Sequence, residues 1–471
     1  MALLTARTTN DRPAGEPGGP DQTADQTAAP RLDSGARLPS GLRLRRPWPA
    51  LAAVELVVLL AVLGAAVFVA ARLDAWGDKG LDFSVYWYGG KILNDAGLSP
   101  SGLYQLTVNW AGGPELPFTY PPFAALLFSL LANLPQATAL LLFNAAGVAV
   151  GAWVAALAVR YWNSKPSWRS TFASPTFRSA LNRLGAVVLF LAVLNLGPWR
   201  ETLVFGQINI LLLGLMTADL LSRSPHWRNG VPGSGFLVGV AAGIKLTPLV
   251  FGLYFLVRKD WRGLLNMGAG FAFTVLFGWV LRPAESLSFW LEILPDTSRI
   301  GGAGYVDNLS IKGALLHFGV PADAVNVPWL LLGLLVVGLG AAVIRAASSQ
   351  GARVVAISAT ALTMLLVSPV SWSHHWVWMA AVLPAFAWTL RETPQRHRLS
   401  RWVMGAVLGV STVVFLFSPK TIGAALGAEN LDLQTPVPWI MASSAGVFCA
   451  LAIMVCWLVV LRRDAVAELA E

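Results

Sequence analysis

Long apolar runs recur from residue 51 to residue 461, and no other feature restricts the fold as strongly. They cover 51–71, 118–134, 137–159, 184–196, 208–221, 236–257, 264–281, 327–344, 354–367, 376–390, 403–417 and 439–461. A helix of about 20 apolar residues matches a hydrocarbon core of roughly 30 Å, and lipid offers the backbone no hydrogen-bond partner, so such runs fold as helices in a bilayer. Composition agrees: 55% of the 471 residues are hydrophobic and 13% are charged, against about 25% charged in soluble domains. A single aqueous domain is excluded. The expected fold class is an all-α polytopic membrane protein with about 12 transmembrane or re-entrant helices.

The net charge of +9 would suit nucleic acid in a soluble chain. In a membrane chain it records basic cytoplasmic connectors, so no nucleic-acid partner is expected. Residues 1–47 are polar and rich in Gly, Pro, Ala and Thr, too poor in large apolar groups to offset the entropy of ordering, and are predicted to be a disordered cytoplasmic tail. Arg43, Arg45 and Arg46 precede the first run, which places the N-terminus inside. The polar segment 72–117, with Asp74, Asp78, Asp82, Asp95 and Glu115, then falls outside. Cys449 and Cys456 lie in one apolar run and are expected to pack rather than to bind metal or pair.

Basic connectors over 160–183, 223–228, 258–262, 345–353 and 391–401, with Arg462 and Arg463, are all predicted to be cytoplasmic. That requires an odd number of crossings between 117 and 160 and an even number between 228 and 258. In the simplest solution 118–134 lies along the outer interface, and 236–257 is a re-entrant hairpin turning near Lys245 and Pro248. A rival solution exposes the bases of 160–183 outside and ranks lower. Either way 72–117, 282–326, 368–375 and 418–438 reach the outer side.

The unusual polar residues gather on that side. Asp82 stands among apolar and aromatic neighbours up to Trp87, where partial desolvation raises a carboxylate's pKa and improves it as a base; a helix cap is the bland alternative. Tyr120 sits in Phe-Thr-Tyr-Pro-Pro (118–122), a chain break and helix start with interfacial aromatics. Arg200, Gln207 and Asn209 approach a helix start, where a cation and amides suit phosphate or hydroxyls, or else satisfy backbone. Lys245 is an intramembrane cation, which by default marks a functional site with an anionic partner. His374 and His375 fall between aromatics, and His226, His317 and His397 add no zinc-like spacing; substrate contact or proton handling suits the pair better. The 282–326 loop, with Trp290, Arg299, Tyr305, Asp307, Asn308 and Lys312, suits sugar recognition or is a plain connector. No Walker-type loop and no carboxylate pair for a sugar nucleotide's metal appear.

Asp-Phe-Ser-Val-Tyr-Trp (82–87), Phe-Thr-Tyr-Pro-Pro (118–122), Gly-Gln-Ile-Asn (206–209), Gly-Ile-Lys-Leu-Thr-Pro (243–248) and Ser-Pro-Val-Ser-Trp-Ser-His-His-Trp (368–376) occur in an order and spacing that resemble glycosyltransferase family 87 of the GT-C superfamily. Its members include the actinobacterial polyprenol-phosphate-mannose-dependent mannosyltransferases. The resemblance implies one GT-C domain over 48–463, followed by a cytoplasmic tail over 464–471, in the plasma membrane. It implies an inverting α-mannosyltransferase, of α-1,2 type, with an extracytoplasmic active site. The donor would be polyprenyl phosphate mannose, and the acceptor lipomannan, lipoarabinomannan or a phosphatidylinositol mannoside. Asp82 would be the general base, Lys245 and Arg200 would hold the donor phosphate, and Tyr86, Tyr120, Gln207, Asn209, Asn308, His374 and His375 would contact substrate. No cofactor is implied, and the donor's one phosphate needs no metal to neutralise it.

A transporter or flippase for a lipid-linked sugar is the main alternative, since carriers also hold intramembrane charges. No internal repeat is visible, and the polar residues share one face. A scaffold protein would not need Asp82, Lys245 and the histidine pair on the same side.

Overall fold

A computed structural model of the protein describes residues 80–95, 102–109, 115–162, 175–221, 234–296, 299, 301–417 and 435–468. The expected tail over 1–47, the first apolar run over 51–71, and most of the connectors after Trp162 and Leu221 lie outside these residues. The architecture is the expected all-α polytopic membrane fold. Among the described residues the only sheet is a short antiparallel ladder pairing Thr107–Asn109 with Glu115–Pro117.

Among the described residues, five helices are long and apolar enough to cross a membrane: Gln136–Trp162, Trp261–Leu281, Asn326–Ser349, Arg398–Leu416 and Ala445–Arg463. A sixth crossing would join Asn182–Leu194 to Gly197–Phe205, a pair bent by 70°. The outward faces stay apolar: Leu265, Leu276 and Val280 on one helix and Leu334 and Leu335 on another are each at least 60% exposed. Rows of exposed aliphatics on long helices are a liability in water and ordinary in lipid.

The two runs expected not to cross fold as shorter pieces. The 118–134 run yields a helix only over Pro122–Leu131, with Pro122 at its first turn where the missing N–H costs nothing. Ten residues rise about 15 Å, too little to cross alone. That helix packs on Leu81–Asn94 so closely that a Cβ on Gly90 would lie 2.6 Å from the Phe128 carbonyl.

The 236–257 run is a hairpin. Phe236–Ile244 is helical, Lys245 is extended (φ −145°, ψ 127°), and Thr247–Phe251 and Gly252–Val257 continue as a 3-10 turn and a helix. Its neighbour Trp261–Leu281 shows the reversal. Gly235, Gly239 and Gly243 meet Gly263, Met267 and Thr274 in ascending order, whereas Gly252 and Phe255 meet Leu264 and Gly263 in descending order. Glycines at four-residue spacing let the two backbones touch, the small-residue packing that lipid favours. A Cβ on Gly239 would collide with the Met267 carbonyl and lie 2.7 Å from Phe271 N. Gly239→Leu is expected to cost at least about 1–3 kcal/mol, read as a lowered melting temperature and loss of the monodisperse species in detergent.

The helix ends fall into two groups. At one, the Arg299 guanidinium donates to Tyr104 O (2.6 Å), and Asn308 Nδ2 donates to Pro369 O (3.1 Å), joining three of the segments predicted to lie outside. At the other, Arg258 donates to Ser348 Oγ (3.1 Å), Arg463 to Ser400 Oγ (3.0 Å) and Arg391 to Trp162 O (3.4 Å). That second group holds the basic connectors.

His317 ends the Ile311–His317 helix and is fully buried. Tyr305 O can only accept, so Nε2 carries the hydrogen at 3.0 Å and Nδ1 accepts from Ser444 Oγ at 3.3 Å. Burial holds the imidazole below its usual pKa, against the opposing pull of the Tyr305 carbonyl. As pH falls through about 6.5 the unfolded chain takes up a proton that the native state resists. Stability is therefore expected to drop on acidification, and His317→Asn to flatten that dependence, as melting curves across this range would show.

Candidate functional site

Four breaks in helical structure meet at one place. Asp82 lies in the first turn of Leu81–Asn94, where the helix N-terminus suits a carboxylate. Gly80 N donates to Val204 O at 2.7 Å, which fixes that turn against the end of Gly197–Phe205. Gly206 then stops the second helix in the left-handed region (φ 66°), and a Cβ there would lie 2.6 Å from Phe83. The chain so turned presents Gln207 and Asn209. The hairpin contributes Lys245, and the 3-10 turn Ser373–Trp378 contributes His374 and His375.

Lys245 Nζ donates to Asn209 Oδ1 at 3.0 Å and lies 3.1 Å from His375 Nε2. An ammonium has no acceptor capacity, so His375 Nε2 is the acceptor and its hydrogen sits on Nδ1. The same ammonium stands 5.7 Å from the centre of the Tyr120 ring. Tyr86 donates to Gln207 Oε1 (2.7 Å), which leaves the Tyr120 hydroxyl to donate to Tyr86 Oη (2.8 Å). Tyr86 is held flat on Phe128, with ring centres 4.4 Å apart. Burial first, then the neighbouring Tyr120 hydroxyl and the Asp82 charge, keep the Tyr86 hydroxyl well above its ordinary pKa, and burial with Asp82 does the same at Tyr120. Both remain neutral hydroxyls at any physiological pH. Half-buried Asp82 is thus in electrostatic reach of Tyr86, Tyr120 and Lys245.

Of the residues singled out in the sequence, Asp82, Tyr86, Tyr120, Gln207, Asn209, Lys245 and His375 come together. Three others stand differently. The Arg200 guanidinium donates to the carbonyls of Asn195 and Leu416 (2.7 Å to the latter), contacts that tie helix ends rather than extend the Lys245 group. Asn308 spends its whole amide on the protein: Nδ2 on Ala303 O and Pro369 O, Oδ1 on Ser310 N and Ser371 N, at 2.8–3.2 Å. It fastens two loops and has no capacity left for a sugar hydroxyl. His374 is 5% exposed and turns from Lys245, its ring at 89° to that of His375. It meets two residues that sequence reasoning left without a role, Glu201 and Asp307. No spacing could have announced that group, since its members come from three distant segments.

A small cleft opens at Asn209 and His375, the two partners of Lys245. Asn209, Ser371 and His375 are among its polar lining residues, and Leu212, Met216, Met364, Leu365 and Trp378 among its apolar ones. Such a mixed lining suits a molecule with a charged head and a hydrocarbon tail.

The fold and site define a polytopic helical membrane protein with a cation, a carboxylate and hydrogen-bonding side chains gathered beside an amphipathic cleft. The model described as glycosyltransferase family 87 matches residues 118–369, and the chain belongs to that family. Among curated relatives, a polyprenol-phosphate-mannose-dependent alpha-(1-2)-phosphatidylinositol mannoside mannosyltransferase of Mycolicibacterium smegmatis is 35% identical, covering 69% of this chain and 74% of the relative. The protein bearing the same description in Mycobacterium tuberculosis is 34% identical, over 68% and 72%. A polyprenol-phosphate-mannose-dependent alpha-(1-2)-phosphatidylinositol pentamannoside mannosyltransferase of Mycolicibacterium smegmatis is 31% identical, over 84% and 88%. No solved structure matches the chain.

Proposed function

We propose that the protein transfers mannose from polyprenyl phosphate mannose to a hydroxyl of a phosphatidylinositol mannoside, or of a lipomannan or lipoarabinomannan built on one, at the extracytoplasmic face of the plasma membrane. Relatives named for that donor and for phosphatidylinositol mannosides support the substrate classes. The observation that carries the proposal is Lys245, a cation at the tip of a hairpin, held by Asn209 and His375, which also line a cleft of mixed polar and apolar character. The prenyl chain would follow Leu212, Met216 and Leu365, bringing the phosphate to the ammonium. Of the two cations expected at that phosphate, Lys245 is the one joined to the rest of the group.

Asp82 takes the proton from the acceptor hydroxyl as its oxygen bonds to the anomeric carbon. The bond from that carbon to the phosphate oxygen breaks with its electron pair, and polyprenyl phosphate leaves from the opposite face. Attack opposite the leaving group inverts the centre, so a β-linked donor gives an α-linked product. The transition state is oxocarbenium-like. Lys245 stabilises the charge gained by the departing phosphate, as a fixed cation aimed at developing charge does. Half-buried Tyr120 faces the substrate, with Tyr86 and Gln207 fixing its hydroxyl.

Reconstituted into liposomes with radiolabelled polyprenyl phosphate mannose and a phosphatidylinositol mannoside, the protein is expected to move label into the acceptor lipid, and to move none from nucleotide-linked mannose. Label that crosses the bilayer while still on the polyprenyl lipid would overturn the proposal in favour of a carrier.

A further inference from the structure

Behind the Lys245 group, three buried side chains meet. Glu201 on Gly197–Phe205, Asp307 in the preceding outer loop and His374 in the 3-10 turn each bring a ligand atom, all within 4.8 Å of one another. Glu201 and Asp307 have no exposed surface. Both carboxylates converge on one hydroxyl: Ser373 Oγ contacts Glu201 Oε2 and lies 3.0 Å from Asp307 Oδ2. A hydroxyl has one hydrogen to give, so it serves one of them. Glu201 Oε1 is fully buried and has no hydrogen-bond partner. A carboxylate so placed is costly unless positive charge is close by.

We propose that Glu201, Asp307 and His374 bind one divalent transition-metal ion. Its charge offsets both carboxylates while the imidazole stays neutral. Two carboxylate oxygens and an imidazole nitrogen match zinc or manganese better than magnesium or calcium, which prefer oxygen alone. Ligand atoms about 2.0–2.2 Å from a tetrahedral ion lie roughly 3.3–3.6 Å apart, so closing on the ion draws the more distant pair together by about an ångström.

The ion has a positioning role. It joins the loop of Asp307 and Asn308, the turn of His374 and His375, and the helix of Glu201 and Thr202. His374 O accepts from Asn209 Nδ2 at 3.1 Å and from Thr202 Oγ1 at 2.9 Å, and His375 touches Lys245. Both partners of the lysine are thereby set by the metal-bound turn, without the ion touching substrate. The expectation that no metal is needed to neutralise the donor phosphate is unaffected.

The test is elemental analysis of the full-length protein purified in detergent without added metal. Zinc or manganese is expected at about one ion per chain. Chelation should remove the ion and lower the melting temperature, and zinc chloride or manganese chloride alone should restore both. Glu201→Gln and Asp307→Asn should each weaken metal binding by roughly tenfold or more. The proposal is overturned if the wild-type protein is metal-free, takes up neither ion and melts identically with and without chelator, which would assign the cluster to a proton shared between the carboxyls. That result needs no variant to fold, and it leaves mannose transfer untouched.

Discussion

Asp82→Asn is expected to lower the rate of mannose transfer by about 10²–10⁴-fold, the range over which a positioned general base contributes. The amide keeps the size and shape of the carboxylate but cannot accept the acceptor's proton. Asp82 is half-buried in the first turn of its helix, and its charge acts on Tyr86, Tyr120 and Lys245. The donor KM should change little, because Lys245 and the cleft remain. A variant with ordinary turnover would remove Asp82 from the chemistry.

Lys245→Met is expected to reduce kcat/KM for the donor by about 10²–10³-fold, comparable to deleting a group that stabilises developing charge. Its effect on stability should run the other way. Desolvating the buried ammonium is expensive, and an apolar side chain of similar length removes that cost, which offsets the loss of its bonds to Asn209 and His375. The expected signature is a melting temperature equal to or above that of the parent, with activity lost. A merely structural lysine would give the reverse, since Asn209 and His375 would lose their shared donor and the hairpin tip would loosen.

Much of this was legible in the sequence because charges in apolar runs are expensive. Lys245 stood out for that reason, and the parity of basic connectors required the chain to reverse near it, as the packing of Gly235, Gly239 and Gly243 shows it does. Asp82 stood out as an acid among aromatics. Hydrophobicity alone does not fix where a helix begins and ends, so 118–134 reads as one long run though only Pro122–Leu131 of it is helical.

The residues that stand apart from the Lys245 group share a different cause. Arg200 and Asn308 carry polar groups suited to phosphate or sugar, but distant backbone carbonyls and amides reach them first. Those partners are fixed only when the chain has folded. The adjacent histidines looked equivalent until a tight turn aimed one at Lys245 and the other at Glu201 and Asp307.

The most direct test of the account is the anomeric configuration of the new bond, read by NMR on the lipid product made by the purified protein from β-linked polyprenyl phosphate mannose. One-step displacement with Asp82 as base predicts an α-mannoside in the wild type and almost no product from Asp82→Asn. A β-mannoside would contradict it, because retention requires a second displacement for which a single catalytic carboxylate makes no provision.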